Sequence, residues 1–211
     1  MIKIENTDVY GFEAAIRGMR NPKNSWEKSD SIDYGWGFVV GQNDIELMKS
    51  LSKAGTDHSK YLRFITITAD ITAPLYWWKE YDTYKVGTVA NSCSTMHKIH
   101  EKEFTIDDFS HEHLLTHAES YNGYVSTSVL ECVIGALNEF RKLYLDTKNK
   151  AYWWQMIQLL PSSYNQTRTV TMTYENIYTM RQQRKGHKLD EWRIDFFNWS
   201  DELPHLKELF D

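Results

Sequence analysis

The chain has 211 residues, of which 41% are apolar and 14% aromatic, and its formal net charge is −5 at neutral pH. These values predict one globular domain, residues 1–211, with a buried core, and they exclude a disordered chain. The acidic balance argues against general binding to nucleic acids or membrane surfaces, because both partners require a basic face on the protein.

The first elements expected along the chain are two amphipathic helices. The first is predicted over residues 8–20 with Asp8 as its cap, and the second over residues 44–53, before Gly55. Between them, residues 33–41 contain several glycines, which favours a loop or a short strand.

The middle of the chain combines a strand with further helices. Alternating β-branched residues predict a strand over residues 62–71, and Pro74 suits the first turn of a helix over residues 75–84. Helices are also predicted over residues 107–117 and 125–144, of which the second has the stronger pattern. Its predicted inner face carries Val129, Val133, Ala136, Leu137, Phe140 and Leu143.

The last third adds a helix over residues 151–159, a strand over residues 167–174, a helix through the basic run 181–188 and a final helical run ending at Leu209. Helices outnumber strands and do not alternate with them regularly. We therefore predict an α+β fold, with a small mixed sheet flanked by helices and a long central helix.

Cysteine usage and hydropathy indicate the compartment. The two cysteines, Cys93 and Cys132, form no CxxC pair, which is typical of a reducing environment. Residues 1–10 lack the apolar core of a signal peptide, and no stretch approaches the roughly 18 apolar residues of a membrane span. We predict a cytoplasmic protein without a membrane segment.

Histidines are the first candidates for metal chemistry. His113 and His117 are four residues apart and would share one face of the helix predicted there. A zinc-protease helix requires glutamate where Leu114 stands, and spacing defines no third ligand. Solvated surface histidines are the favoured interpretation, so no metal is predicted.

Two tryptophan pairs, at residues 77–78 and 153–154, are candidates for a stacking wall against a flat ligand. Consecutive helical residues lie about 100° apart, so both rings of a pair rarely line one pocket. Packing in the core or at a subunit interface is the favoured interpretation.

The basic run 181–188 has two interpretations. Arg181, Arg184, Lys185 and Lys188 can be solvated cations near the negative end of a helix dipole. Alternatively, an arginine of the run clamps a phosphate or carboxylate, because its planar fork matches those oxygens. Composition alone favours the solvated helix end.

The order of segments around this run changes the balance. "LPSSY" is followed by the strand "TRTVTMTY", the helix "ENIYTMRQQR" and then "DEWRID". This order resembles the C-terminal half of flavin-dependent thymidylate synthases, in which a helix ending in arginine precedes a Trp-acid-Ile helix. Leu160, Pro161, Arg184, Trp192 and Ile194 fall in step with small shifts. The resemblance implies that Arg184 faces a ligand, while its basic neighbours stay solvated.

The upstream half is also similar to that family. "RFITITADI" runs into "APLYWWKEYDTYK", and "TYKVGTVANSCSTM" can be laid, with one inserted residue, on the family motif that begins Arg-His-Arg and ends Ser-x-Arg. Thr88, Asn91 and Ser94 then take its Ser, Asn and Ser positions.

The chain departs from the family at several arginines. Thr83, Tyr84 and Lys85 replace Arg-His-Arg, and Met96 replaces the final arginine of the motif. The arginine expected shortly before Leu160 is absent, and Gln155 and Gln158 are the polar residues nearby. Each lost charge-assisted contact is worth about 1.5–3 kcal/mol, so the departures weaken the expected grip on a nucleotide.

The resemblance implies an enzyme that transfers a one-carbon unit to C5 of a pyrimidine nucleotide, dUMP to dTMP, with FAD as cofactor and with NADPH and a folate donor as co-substrates. It also implies a homotetramer with active sites between subunits. The roles it implies are catalytic for Arg184, substrate-binding for Ser94, Arg184 and Gln158, and flavin- or phosphate-binding for Tyr84, Lys85, Thr88 and Asn91. The alternative is a catalytically degenerate homologue that binds a nucleotide, a flavin or a protein partner.

Overall fold

The structure is a computed structural model, and it describes residues 1–120, 123 and 125–210. Its strands are β1 (Lys3–Tyr10), β2 (Ile32–Asp33), β3 (Phe38–Val39), β4 (Thr66–Pro74), β5 (Val89–Ser92) and β6 (Asn165–Thr173). Its α-helices are α1 (Phe12–Arg20), α2 (Gln42–Lys53), α3 (Leu75–Tyr81), α4 (Thr95–Lys98), α5 (Ser126–Thr147), α6 (Lys150–Leu159), α7 (Tyr174–Arg184), α8 (Phe197–Asp201) and α9 (Leu206–Phe210). A π-helical turn, Glu191–Phe196, precedes α8.

The strands form a small sheet in the order β1-β4-β6-β5, and β2 and β3 form a separate antiparallel hairpin. β4 and β6 are antiparallel, since Leu75 N donates to Tyr164 O and Tyr174 N donates to Ile65 O, both at 3.0 Å. The predicted α+β class is confirmed. Within the described residues, no helix is both long enough and apolar enough to span a membrane.

Contacts divide the chain into two compact units. The first unit comprises Met1–Lys3, Thr72–Asp82 and Asn91–Arg168, and the second comprises Ile4–Ile71, Thr83–Ala90 and Thr169–Asp211.

The first unit has its core under the hairpin of α5 and α6. The buried residues of this core are Ile99, Phe104, Phe109, Leu130, Leu137 and Met156. Trp77 and Trp78 are also fully buried, and the guanidinium carbon of Arg168 lies 4.2 Å from the Trp78 ring centroid. The Trp77–Trp78 pair is therefore part of the core and not an interface anchor. Trp154 on α6, in contrast, is exposed.

The second unit contains a buried ion pair between the last residue of α1 and the first turn of α2. Arg20 is 4% exposed and Asp44 0%, and Arg20 Nε donates to Asp44 Oδ1 at 2.6 Å. The hydroxyls of Ser29 and Ser31 donate to Asp44 Oδ2 at 2.7 and 2.6 Å. Burial alone would raise the pKa of Asp44, but the serine hydrogen bonds and the charged Arg20 hold it below its ordinary value.

Two predicted helices differ from the structure. Residues 8–10 belong to β1, so Asp8 caps no helix, and α1 begins after Gly11, whose φ is +96°. A Cβ at Gly11 would lie 2.0 Å from the Phe64 carbonyl oxygen, so only glycine fits this turn. The helix predicted over residues 107–117 is wrong, because the chain makes only a 3₁₀ turn at Ile106–Asp108 and irregular turns beyond it.

The predicted inner face of α5 is partly wrong. Leu130 and Leu137, two turns apart, are the residues that α5 buries, while Val129 is 64% exposed. Apolar residues surround more than one face of this helix, so the sequence pattern does not define which face packs on α6.

Candidate functional site

Arg184 is the last residue of α7, and the sequence of the helix explains why it stands there. Thr173 and Asn176 form a capping box at the start, with Thr173 N donating to Asn176 Oδ1 at 2.9 Å. At the other end, Gly186 adopts a φ of +73° and His187 N donates to Arg184 O at 3.0 Å. Local sequence therefore defines both ends of α7. The predicted place of Arg184, at the end of this helix, is confirmed.

The side chain of Arg184 is half-buried among three rings. Its Nε donates to Tyr84 Oη at 2.9 Å, and its Nη1 lies 3.2 Å from His187 Nε2. The guanidinium carbon lies 5.4 Å from the Tyr84 ring centroid and 5.0 Å from that of Trp192. Each of these cation–π contacts contributes about 0.5–1 kcal/mol at a partly exposed site. The arrangement holds the guanidinium in a defined orientation.

The segment that carries Tyr84, residues 83–90, is attached to the start of the same helix. Asn176 Nδ2 donates to Val86 O at 2.7 Å, and a Cβ on Gly87 would lie 3.0 Å from Asn176 Oδ1. Thr88 Oγ1 donates to the Tyr84 carbonyl. The structure therefore brings the predicted residues Tyr84 and Thr88 together with Arg184, all within the second unit. Asn176 was missed by sequence reasoning, although its capping-box spacing from Thr173 was a visible signal.

Lys85, predicted to contact flavin or phosphate, lies on the same segment with its side chain exposed. Its ammonium therefore remains solvated and accessible to an anionic group. Thr88 is half-buried, and its hydroxyl is already used within the segment.

Arg181, one turn before Arg184, was predicted to be a solvated cation, and this prediction is wrong. Its side chain is 13% exposed, and Nη1 lies 2.7 Å from Asp201 Oδ1 and 2.6 Å from Ser200 Oγ. Its guanidinium carbon also lies 4.7 Å from the Phe197 ring centroid. Arg181 therefore ties α7 to α8. Lys185 and Lys188 are exposed, as predicted for solvated cations.

Ser94 lines a cavity of about 430 Å³ inside the first unit. It is also the N-cap of α4, because its Oγ accepts a hydrogen bond from His97 N at 3.1 Å. The other polar residues of the lining include Thr72, Cys93, Thr95, Tyr164, Asn165 and Thr167. The volume lies in the range of small-molecule sites.

The cavity lining is slightly acidic. Two lysines and three carboxylates line it, so its formal net charge is −1. Lys98 pairs with Glu101, and Lys102 donates to Asp108, a hydrogen bond that raises the pKa of Lys102. A phosphate in this cavity would need a further cation, because neither lysine is unpaired.

Two uncharged polar residues of the cavity, Tyr164 and Asn165, are partly buried. Burial, followed by the nearby Asp108 carboxylate, raises the pKa of Tyr164, so its phenol stays protonated at neutral pH. Asn165 Oδ1 is buried and accepts no hydrogen bond from the described residues. A buried acceptor of this kind favours a ligand that carries an N–H or O–H donor.

The two remaining predicted site residues also lie in the first unit. Asn91 is exposed on β5 and Gln158 is exposed on α6. Gln155, the other polar residue near the expected arginine, makes a weak hydrogen bond to Ala151 O at 3.4 Å.

No group of three histidine, cysteine or acidic side chains among the described residues has the geometry of a metal site. His113 and His117 do not share a helix face, since residues 111–119 form turns. His111 Nδ1 lies 2.8 Å from Phe109 O, in a local contact.

The fold is that of the flavin-dependent thymidylate synthases. Thymidylate synthase X (ThyX) from Helicobacter pylori, solved with FAD and dUMP, matches with a TM-score of 0.69 at 17% identity, over 100% of this chain and 98% of that one. The UMP/dUMP methylase PolB from Streptomyces cacaoi, solved with 5-Br UMP, matches with a TM-score of 0.67 at 14% identity, over 100% and 92%. No family model and no curated protein matches the sequence.

Proposed function

We propose that this protein binds FAD and a pyrimidine nucleotide and methylates C5 of the pyrimidine, converting dUMP to dTMP. The observation that carries the proposal is Arg184, held half-buried at the end of α7. Support comes from the fold, which is shared with ThyX solved with FAD and dUMP and with a UMP/dUMP methylase. The whole chain acts as one domain of this type.

The segment of residues 83–90 has features that fit a flavin cofactor. Lys85 is an exposed cation suited to the phosphates of FAD, and Asn91 is an exposed amide next to the segment. The Tyr84 ring and the Thr88 backbone would border the cofactor. FAD supplies hydride chemistry when bound, with NADPH as the reductant, and the residues of this chain bind and orient it.

Arg184 is the residue assigned to the nucleotide. Its guanidinium would donate a hydrogen bond to a pyrimidine carbonyl oxygen. The same contact would stabilise the negative charge that develops on the ring while a one-carbon unit is transferred from a folate donor to C5. Ser94 and Gln158 are also assigned to nucleotide binding. Since the cavity beside Ser94 has a lining of −1 formal charge, the cation for the phosphate would come from elsewhere. We expect a homotetramer with sites between subunits to provide this cation from a second copy of the chain.

The second candidate is a catalytically degenerate homologue that binds a nucleotide, a flavin or a protein partner. Three missing arginines favour it. Thr83 and Met96 stand at two arginine positions of the family motif, and only Gln155 and Gln158 lie near the arginine expected before Leu160. Each lost charge-assisted hydrogen bond weakens binding by about 1.5–3 kcal/mol. Three such losses would abolish useful affinity for a nucleotide unless other cations replace them.

Absorbance of the purified protein tests the proposal directly. We expect flavin near one equivalent per subunit after reconstitution with FAD, and a rise in melting temperature when dUMP is added. Colourless protein whose melting temperature responds to neither ligand would reject the enzyme and leave a degenerate homologue that binds a protein partner. Light scattering should give four times the subunit mass of 25.0 kDa; a monomer at micromolar concentration would reject the tetramer.

A further inference from the structure

A further cavity, of about 570 Å³, lies in the second unit beside the buried Arg20–Asp44 pair. Arg20, Trp26 and Phe38 are among the residues that line it. The volume lies in the range of small-molecule sites. We propose that this cavity binds a flat, uncharged heteroaromatic molecule, whose rings contact Trp26 and Phe38 and whose carbonyl oxygen accepts a hydrogen bond from Arg20. The proposal does not rest on the binding of FAD or dUMP.

The walls of the cavity suit a flat ring. Ile16 of α1, Trp26 and Phe38 of β3 supply apolar surface, and Trp26 is half-exposed. Trp26 Nε1 donates to Asn21 Oδ1 at 2.8 Å, so the one polar group of the indole is satisfied and its orientation is held. An aromatic ring that is already held in place offers an aromatic ligand a contact surface that binding does not have to order.

Arg20 has hydrogen-bonding capacity left for a ligand. A guanidinium carries five N–H groups. Nε donates to Asp44 Oδ1 at 2.6 Å, and Nη1 donates to the Ser25 carbonyl at 3.2 Å. Among the residues that the structure describes, none accepts a hydrogen bond from Arg20 Nη2. Because Arg20 is only 4% exposed, water has little access to this group, and a ligand oxygen in the cavity would supply the missing acceptor.

The charges around the cavity cancel in pairs. Arg20 is paired with Asp44. Glu13 and Arg17, which also line the cavity, pair with each other at 3.2 Å. The site therefore has no net charge that would attract an ion, and an uncharged ligand loses the least hydration when it enters. A carbonyl oxygen on such a ligand still gains a charge-assisted hydrogen bond from the guanidinium.

Hydrogen bonds to Asp44 hold part of the lining in place before a ligand arrives. Ser29 and Ser31 both line the cavity, and their hydroxyls donate to Asp44 Oδ2 at 2.7 and 2.6 Å. Ser31 Oγ in turn accepts from Gly41 N at 2.9 Å, which closes the base of the β2–β3 hairpin that carries Phe38. The cavity is therefore preformed, which favours ligand binding because little of the protein must be ordered.

Fluorine NMR of the full chain, labelled with 5-fluorotryptophan, tests the proposal with 4-quinolone as the probe. This bicyclic molecule is flat and uncharged and carries a ring carbonyl. We expect it to shift the Trp26 signal in a saturable manner. The signal of Trp36, which is 82% exposed on the same hairpin and does not line the cavity, should not change. Trp26→Phe and Trp36→Phe assign the two signals. A Trp26 signal that does not respond overturns the proposal, as does an equal response of Trp36.

Indole is the matched probe for the hydrogen bond to Arg20, because it is flat and uncharged but carries no acceptor oxygen. We expect indole to bind at least about tenfold more weakly than 4-quinolone, the change for one hydrogen bond to a charged group. Indole is the more apolar of the two, so burial alone would give the opposite order. Equal or tighter binding of indole therefore overturns the proposal. The comparison uses the wild-type chain, so the fold is not disturbed.

Two neighbouring residues of β3 give a matched pair of variants. Phe38→Ala removes one wall and should weaken 4-quinolone binding at least about tenfold. Val39→Ala changes a residue that does not line the cavity and should leave binding as it is. Wild-type affinity in a folded Phe38→Ala variant would contradict the proposal, and the indole comparison decides if this variant does not fold.

Competition with FAD separates this ligand from the cofactor. Saturating FAD should not displace 4-quinolone, because the proposed function assigns the flavin to residues 83–90 and because FAD carries charged phosphates. Displacement would make the cavity the flavin site and reject a separate, uncharged ligand.

Discussion

Two arginines of the second unit, Arg20 and Arg184, each end a helix in different surroundings. Arg20 ends α1, is 4% exposed and donates its Nε to the fully buried carboxylate of Asp44. Arg184 ends α7, is half-buried and donates its Nε to the phenol of Tyr84. The partner of Arg20 is a carboxylate, and the hydroxyl that accepts from Arg184 is a phenol. The same residue type at the same helix position is therefore buried in the core in one case and partly accessible to solvent in the other.

The largest expected effect comes from breaking the buried pair. Asp44→Asn leaves the charge of Arg20 buried without a counter-ion, so the free energy of unfolding should fall by about 3–5 kcal/mol. Urea unfolding measures the change. The matched control is Glu13→Gln, which breaks the exposed Arg17–Glu13 pair and should cost under about 0.5 kcal/mol. Equal losses in both variants would contradict the structural role of the Arg20–Asp44 pair.

Arg181 lies on α7 with Arg184 but is held by a carboxylate, as Arg20 is. Arg181→Ala removes charge-assisted hydrogen bonds to Asp201 and Ser200, so it should lower the free energy of unfolding by about 1.5–3 kcal/mol. Ligand affinity, measured separately by titration with dUMP, should not change. Exposed Lys185→Ala is the control, and we expect neither quantity to change in it.

Arg184→Lys tests the second arginine of the comparison, the one assigned to ligand binding. Lysine keeps the charge but loses the planar fork, so dUMP affinity should fall by about 1.5 kcal/mol, the lower end of the range for a charge-assisted hydrogen bond. The melting temperature should shift much less than in Arg181→Ala. A variant that melts lower but binds dUMP like the wild type would make Arg184 a structural residue.

The smallest effect concerns pH. Because the folded-state pKa of Asp44 lies below its ordinary 3.8, its ionised form stabilises the fold in full above that pH and progressively less as the pH falls through the folded-state value. Wild-type stability should therefore fall more steeply with acid than that of Asp44→Asn, by at most about 1.4 kcal/mol per pH unit. Unfolding curves between about pH 5 and pH 3 test this, and parallel pH profiles would contradict it.

Helix α7 shows how much of the site could be predicted. Its start follows from the spacing of Thr173 and Asn176, and its end follows from Gly186, so the position of Arg184 is a local property of the sequence. His187 follows Arg184 by three residues, but the other hydrogen-bond partner, Tyr84, lies 100 residues away. Whether an arginine meets a phenol or a carboxylate depends on which segments pack together, and spacing along one helix carries no such information.

The wrong predictions have the same cause. Residues 107–117 have helical spacing, but in the first unit Phe109 is drawn into the core and the turns around it replace the helix. On α5, apolar residues surround several faces, and only packing in the core of the first unit selects Leu130 and Leu137 for burial. Local propensity is worth tenths of a kcal/mol per residue, whereas burial of one large side chain is worth about 1.5–3 kcal/mol.

The sequence by itself determined the α+β class, most helix and strand positions and the place of Arg184, since these depend on periodicity, capping residues and glycines read over a few neighbours. Tertiary structure alone decided that Arg20 and Arg181 pair with Asp44 and Asp201 and that the phenol of Tyr84 reaches Arg184. The physical reason is that the function of a charged side chain depends on its solvation and on the charge of its partners. Asp44, Asp201 and Tyr84 lie 24, 20 and 100 residues from the arginines they contact, so they become neighbours only after folding.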